Sequence, residues 1–248
     1  MTRMLLVGES WISQSTHFKG FDSFTSTTFH TGGDEYLKVL RNHGIDAKQM
    51  YAHEVPEKFP FTLEELNEYD VIVLSDIGAN SFLLAPGTWL KGESQVNRLK
   101  LLAEWVLQGG GLLMAGGYLS FMGFQARANY LLTPLADVLP VKLMQGDDRI
   151  EGPEGLPVRI IDDTHPISKG VSGDSPNLLG YNKVIARETT QIIAEINGDI
   201  LLAIHKFGKG KTAVWTSDIG PHWCPNDFIA WHGFELLMSN LITWLGKE

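Results

Sequence analysis

The 248-residue sequence holds a single cysteine, Cys224. One thiol excludes an intramolecular disulfide and a four-cysteine zinc site, and it fits a reducing compartment. The expected location is therefore cytoplasmic. Positive charge is also scarce: 20 Lys and Arg stand against 29 Asp and Glu, a formal net charge of −9. The tightest basic group (Lys206, Lys209, Lys211) surrounds a glycine turn. Such a chain is repelled by phosphate backbones and anionic bilayers, so neither nucleic acid nor membrane is expected as a partner. Long hydrophobic runs are missing as well. The stretch between Glu104 and Arg127 has no charge, but Gly109, Gly110, Gly111, Gly116, Gly117 and Gly123 interrupt it. Glycine costs ~1 kcal/mol per position in a helix, so this is not a membrane span. The N-terminal apolar run, Met4 to Val7, is shorter than the core of a signal peptide. There is no internal repeat and no linker-like break, and residues 1–248 are expected to form a single domain.

What is present alternates strand and helix. Met4–Val7, Asp70–Leu74 and Leu112–Ala115 are short uncharged or β-branched runs of the kind buried on both faces of a parallel sheet. Between them lie a helix at Asp34–Asn42, a weak strand at Ile45–Met50, a helix at Leu63–Tyr69 and another at about Gln95–Leu107. Thr62 and Glu65 offer a capping box for the second of these helices. Glu9 to Gly32 has no clear period and reads as a long loop, its aromatics (Trp11, Phe18, Phe21, Phe24, Phe29) covering the sheet edge. The second half turns β-rich, with strands at Tyr181–Ala186, Gln191–Glu195, Ile200–His205 and Lys211–Ser217. The last two of these are joined as a hairpin through Phe207–Gly210. A final helix spans about Phe228–Leu245. The expected fold is α/β: a flavodoxin-like, doubly wound, mostly parallel sheet with β-rich additions in the second half.

Ligands of such sheets bind beyond the carboxyl ends of the strands. That edge should carry Gly8-Glu9-Ser10, Ser75-Asp76 and Gly116-Gly117-Tyr118-Leu119-Ser120. A strand breaking at small residues and entering a helix has the outline of a nucleophile elbow, with backbone N–H donors for an oxyanion. Tyr118 would stand at its tip, and a phenol with pKa near ~10 is a poor acyl-transfer nucleophile; a turn without chemistry is the plainer reading. Gly208-Lys209-Gly210-Lys211-Thr212 resembles the end of a phosphate-binding loop, but His205 replaces the first glycine. The eight histidines match no metal-ligand spacing, and neither a metal nor a cofactor is expected. Cys224 reads as a buried thiol.

Three segments carry a family resemblance: Trp105–Tyr118 (WVLQGGGLLMAGGY), Thr164–Val171 (THPISKGV) and Gly208–Trp215 (GKGKTAVW). Their order and spacing resemble class I glutamine amidotransferase-like proteins, nearest to the branch called "putative glutamine amidotransferase" and more distantly the trehalose-utilisation family. The resemblance covers about Met4 to Leu245. Family members that hydrolyse glutamine carry G-x-C-x-G at the elbow and a late His-Pro-Glu, the Cys attacking the amide with the His as its base. Here Tyr118 stands where the Cys would be and Ser120 where the second Gly would be. No His-Pro-Glu occurs, and His222 or Asp218 is the nearest counterpart of the catalytic His.

Glutaminase activity by the family route is thus not expected. The leading expectation is a small polar ligand, a sugar or an amide, held by Glu9, Ser10, Asp76, Gly117 and Asp218 with Tyr118, Ser120 and His222 as candidate reactive groups. The rival is a hydrolase using Ser120 with His222 as base, or a tyrosine-assisted acid/base step. A non-catalytic assembly or regulatory protein is the third reading, and a homo-oligomer is left open.

Overall fold

The computed structural model describes residues 1–247. Strand β1 (Arg3–Gly8) runs into a long hairpin of β2 (Ser10–Lys19) and β3 (Asp22–Thr31), followed by helix α1 (Asp34–Asn42) and β4 (Asp46–Met50). Short helices α2 (Val55–Lys58) and α3 (Leu63–Leu66) precede β5 (Val71–Ser75). Helices α4 (Asn80–Leu83), α5 (Pro86–Lys91) and α6 (Arg98–Leu107) lead to β6 (Gly111–Ala115). Next come α7 (Leu135–Val138), β7 (Val141–Leu143), β8 (Arg149–Leu156), β9 (Val158–Ile160), β10 (Leu178–Asn182) and β11 (Val184–Ala186). The chain closes with β12 (Gln191–Ile196), β13 (Asp199–Phe207), β14 (Gly210–Trp215), α8 (Asn226–Ile229) and α9 (His232–Leu245).

Eight strands form the central sheet in the order β4-β1-β5-β6-β14-β13-β12-β9. The first five are parallel, and β13, β12 and β9 extend the sheet antiparallel. Numbered along the chain, the five parallel strands run 2-1-3-4-5, the flavodoxin-like order. Alternation along each strand builds a core on both faces. Met4, Leu6, Val71, Val73 and Leu113 point toward α1 and α9, whereas Leu5, Val7, Ile72, Leu74 and Leu112 point toward α6 and its neighbours. This explains why those strands read as unbroken apolar runs.

Several elements depart from the sequence expectation, each for a local reason. The presumed loop from Glu9 to Gly32 is the β2–β3 hairpin, paired without interruption from Ser10↔Thr31 to Lys19↔Asp22. Of its aromatics, Trp11 and Phe29 at the base lie against the body near the sheet edge, whereas Phe18, Phe21 and Phe24 stand out on an arm whose residues beyond the base are exposed. Helix α6 begins at Arg98 rather than Gln95, because the Asn97 side chain caps it by accepting from the N–H groups of Leu99 and Lys100. The capping box of Thr62 and Glu65 forms, but its helix stops at Leu66. Tyr181–Ala186 is split at Lys183 between two small two-stranded sheets, β8–β10 and β7–β11. The final helix is broken before His232.

Among the described residues, no α-helix starts directly from the β6 turn. Phe121, Gln125, Ala126 and Asn129 all take positive φ, and only 3-10 turns form before α7. A right-handed helix cannot propagate through such residues, so the helix end that an elbow would aim at an oxyanion is missing.

Candidate functional site

The register of the parallel strands sets the site. Gly8 of β1 lies beside Ser75 of β5, Ser75 beside Ala115 of β6, and Ala115 beside Trp215 of β14. The next residues along these strands therefore emerge side by side: Glu9, Asp76, Gly116-Gly117-Tyr118 and, three residues past Trp215, Asp218. Strand order reverses between β1 and β5, the place where open sheets of this kind bind ligands. Glu9 and Asp76 adopt left-handed backbone, with φ of 50° and 45°. For non-glycine residues this costs roughly 1–3 kcal/mol, strain that concentrates at functional sites.

Glu9 is 6% exposed. Its side chain passes over Gly32, where a Cβ would lie 2.6 Å from Glu9 Oε1. The Ser75 hydroxyl donates to Glu9 Oε2 at 2.5 Å. Burial, reinforced by the charges of Asp76 and Asp218, pushes the Glu9 carboxyl up to about 8, against the Ser75 hydrogen bond. It is therefore a neutral acid at pH 7. Asp76 is pushed up to about 6, chiefly by burial, while the N–H of Leu119 and the charge of His222 pull the other way. Asp218, buried, accepts from His222 Nδ1 at 2.8 Å and from the Trp223 N–H at 2.9 Å. That bond raises the His222 pKa above its ordinary value, against partial burial. With Nδ1 engaged by Asp218, Nε2 is left to face the cavity, a donor when the ring is protonated and an acceptor when it is neutral.

Tyr118 stands over these groups as a wall. Its ring meets the His222 ring edge-on at 4.6 Å and stacks on Phe124 at 5.6 Å. The Arg149 guanidinium lies over both rings, at 4.7 Å from Tyr118 and 4.2 Å from Phe124. Burial raises the phenol pKa further, so Tyr118 is a neutral hydroxyl and no nucleophile. Glu9, Asp76, Asp218 and His222 make the polar end of a cavity of about 320 Å³, and Trp11, Tyr118 and Pro221 its flanks. Trp11 comes from the base of the β2–β3 arm, a contribution hidden by reading that segment as a loop.

Two candidate serines are not brought into the cavity. Ser10 Oγ accepts the Ala52 N–H at 2.8 Å, pinning the end of β4. Ser120 is 2% exposed, and its Oγ accepts the Asp76 N–H at 3.1 Å. Both are turned into the protein as anchors, and no hydrogen bond joins Ser120 to His222 among the described residues. Cys224 is fully buried, and burial raises its thiol well above the ordinary value.

The turn after β6 decides what chemistry is open. The left-handed residue is Gly117, with φ of 135°, one position before Tyr118. A Cβ there would lie 2.9 Å from Asp76 Oδ1 and 3.0 Å from Asp218 Oδ1. The backbone donors that would hold an oxyanion are all engaged. Leu119 N–H donates to Asp76 Oδ1 at 2.7 Å, Gly117 N–H to Asn182 Oδ1 at 3.0 Å, and Gly116 N–H to the Trp215 carbonyl at 2.8 Å. The Asp76 carboxylate thus takes up the N–H of Leu119, the residue after Tyr118. Behind the turn, Asn182 Nδ2 donates to Asp148 Oδ1 at 2.8 Å, and Asp148 also accepts the N–H groups of Met122 and Gly123. Burial raises the Asp148 carboxyl, against those bonds. Neither Asn182 nor Asp148 was legible as a site residue.

A sequence profile described as "Putative glutamine amidotransferase" matches residues 3–247. The chain belongs to this family. Two solved structures resemble it along its whole length. Cytoplasmic Protein STM3548 from Salmonella typhimurium is 44% identical, with TM-score 0.95 and 99% of each chain covered. Cytoplasmic Protein STM1381 from Salmonella typhimurium LT2 is 45% identical, with TM-score 0.94, covering 99% of this chain and 100% of that one. A putative thua-like protein from Parabacteroides merdae shares the fold at 14% identity and TM-score 0.55, covering 98% of this chain and 89% of its own. No curated protein matches the sequence. Among the described residues, no three His, Cys, Asp or Glu side chains are arranged to hold a metal ion, and no helix is long and apolar enough to cross a membrane.

In this member of the family the turn after the fourth parallel strand carries Tyr118, and the N–H groups of Gly116, Gly117 and Leu119 are engaged within the protein. Gly117→Ala is expected to strain the backbone by ~2 kcal/mol and to push Asp76 and Asp218 apart. The melting temperature should fall by roughly 4–8 °C, at about 2–4 °C per kcal/mol for a chain of this size, while the far-UV circular dichroism stays unchanged. A wild-type melting temperature would show that the turn tolerates a Cβ between the two carboxylates.

Proposed function

We propose that this cytoplasmic protein binds a small, neutral, hydroxyl-rich ligand of the sugar class in the cleft and does not hydrolyse glutamine. The observation that carries this reading is the Asp76 carboxylate held by the Leu119 N–H, which takes up a backbone donor that an oxyanion would need. The remaining chemistry is that of hydrogen bonding to neutral groups. Neutral Glu9 donates, Asp76 and Asp218 accept, His222 Nε2 serves as donor or acceptor with the charge of its ring, and Trp11 and Tyr118 offer apolar faces to the C–H side of a ring. An anionic ligand would meet two carboxylates, and a small amide would leave the aromatic flanks unfilled. The location is supported by the names of the two Salmonella relatives and by the single buried thiol.

One observation favours a second reading, proton-transfer catalysis on the same ligand. Glu9 and Asp76 titrate on either side of pH 7, near 8 and 6, which suits an acid and a base working together. In that case turnover would follow a bell-shaped pH profile.

Binding is tested by calorimetry and thermal shift against neutral sugars and polyols, sugar acids, amines and glutamine. Neutral polyhydroxylated compounds are expected to bind, and Asp76→Asn and His222→Gln to abolish their binding without unfolding the protein. Ammonia release from glutamine by the wild type, or selective binding of sugar acids, would overturn the reading.

A further inference from the structure

We infer that the β2–β3 arm is a self-association device, and that it pairs with the same arm of a second copy of this chain. Both strands are ten residues long, and among the described residues they pair only with each other. A lone two-stranded ribbon is marginal in water, and this one is held to the body only at its base, where the Phe29 ring meets Tyr51 and His53 edge-on. Its two outer edges present free backbone donors and acceptors. Natural edges of this length carry charges, prolines or bulges that block pairing. From Ser10 to Lys19 and from Asp22 to Thr31 there is no proline and no bulge, and the only formal charges, Lys19 and Asp22, sit at the tip.

The surface composition points the same way. Trp11, Ile12, Phe18, Phe21, Phe24 and Phe29 are all exposed on this one ribbon. At ~200 Å² per aromatic side chain they leave on the order of 800 Å² of apolar surface in water, which is about what one partner gives to a standard interface, ~800 Å². Depletion of charge with enrichment of aromatics marks the core of an interface.

The occupant is a second copy for two reasons. Identical antiparallel edges related by a two-fold axis are complementary to one another without further design. The chain carries −9 overall, so two copies repel each other across most of their surfaces, and the arm with its balancing Lys19 and Asp22 is where they approach most easily.

The test is the mass of the full-length protein in solution by light scattering and sedimentation. The wild type is expected at twice the monomer mass or a multiple of that. Phe18→Asp with Phe24→Asp, both on exposed faces of the arm, should give monomer with unchanged circular dichroism. Because Cys224 is buried, an added Ser15→Cys or Ser26→Cys places the one accessible thiol at the middle of the arm, on one strand or the other. At least one of the two is expected to cross-link to dimer on mild oxidation. A wild-type monomer at ~100 μM, or an assembly that survives the double aspartate variant with neither cysteine cross-linking, would overturn the inference.

Discussion

Glu9→Gln is expected to stabilise the folded protein by about 3 kcal/mol at pH 7, and to change stability little below pH 4. The Glu9 carboxyl is pushed up from 4.5 to about 8 in the fold. Between those values the folded state keeps a proton that the unfolded chain has released. Stability from this group is therefore fully present below about pH 4.5 and is lost as pH rises toward 8. Each unit of displacement is worth ~1.4 kcal/mol, which gives about 3 kcal/mol at pH 7 and about 5 kcal/mol above pH 8. Gln is neutral at every pH, so the variant has no such loss. For a chain of this size the difference amounts to roughly 6–12 °C in Tm at pH 7. Asp76, raised to about 6, adds a loss of the same sign at lower pH. His222, also raised, contributes stability that is present below its unfolded pKa and lost as pH passes its folded one. The wild type should therefore be most stable at mildly acidic pH, and the Gln variant should show a flatter profile. Equal melting of the two proteins at pH 8 would refute the account of Glu9.

Asp148→Ala should be the most damaging single change near the site, costing about 4 kcal/mol. The carboxylate accepts from Met122 N–H at 2.9 Å, Gly123 N–H at 2.8 Å and Asn182 Nδ2 at 2.8 Å, all of them buried. Each buried donor left unpaired costs ~1–3 kcal/mol, and relaxation of the turn recovers part of the sum. The loss propagates, because Asn182 without its acceptor no longer fixes the Gly117 N–H. Hydrogen exchange should then accelerate across residues 117–123 more than in the central strands, and ligand affinity should fall with it. Asp148→Asn keeps the shape but turns one acceptor into a donor, so it should lose about half as much. A loss under ~1 kcal/mol for the Ala variant, with unchanged exchange at the turn, would show that this network does not hold the site.

How much of this was legible depended on whether burial had left a mark on the sequence. β1, β5 and β6 are covered on both faces, so their apolar runs announce them, and Glu9, Asp76 and Tyr118 follow as the residues just beyond. The arm has water on both faces and no core to impose a period of two on it. Its only signal was the density of Thr, Phe, Trp and Ile, residues that favour extended backbone. Ser10 and Ser120 lie at the right level of the chain, yet which way a side chain turns is decided by partners such as Ala52 and Asp76 that spacing does not reveal. Asn182 and Asp148 act across 65 and 25 residues of sequence, and nothing local distinguishes them. That Tyr118 stands where the resemblance puts a Cys was plain from the sequence; that Asp76 takes up the neighbouring Leu119 N–H needed the fold.

The chemistry of the cleft depends most on Glu9 being a neutral acid beside an ionised Asp76. Carbon-13 NMR of the side-chain carboxyl groups across pH 4 to 10 measures this directly, with Glu9→Gln and Asp76→Asn supplying the assignments. The expected result is a Glu9 carboxyl still protonated at pH 7 with its midpoint near 8, and Asp76 titrating near 6. Both groups ionised below pH 5 would contradict it.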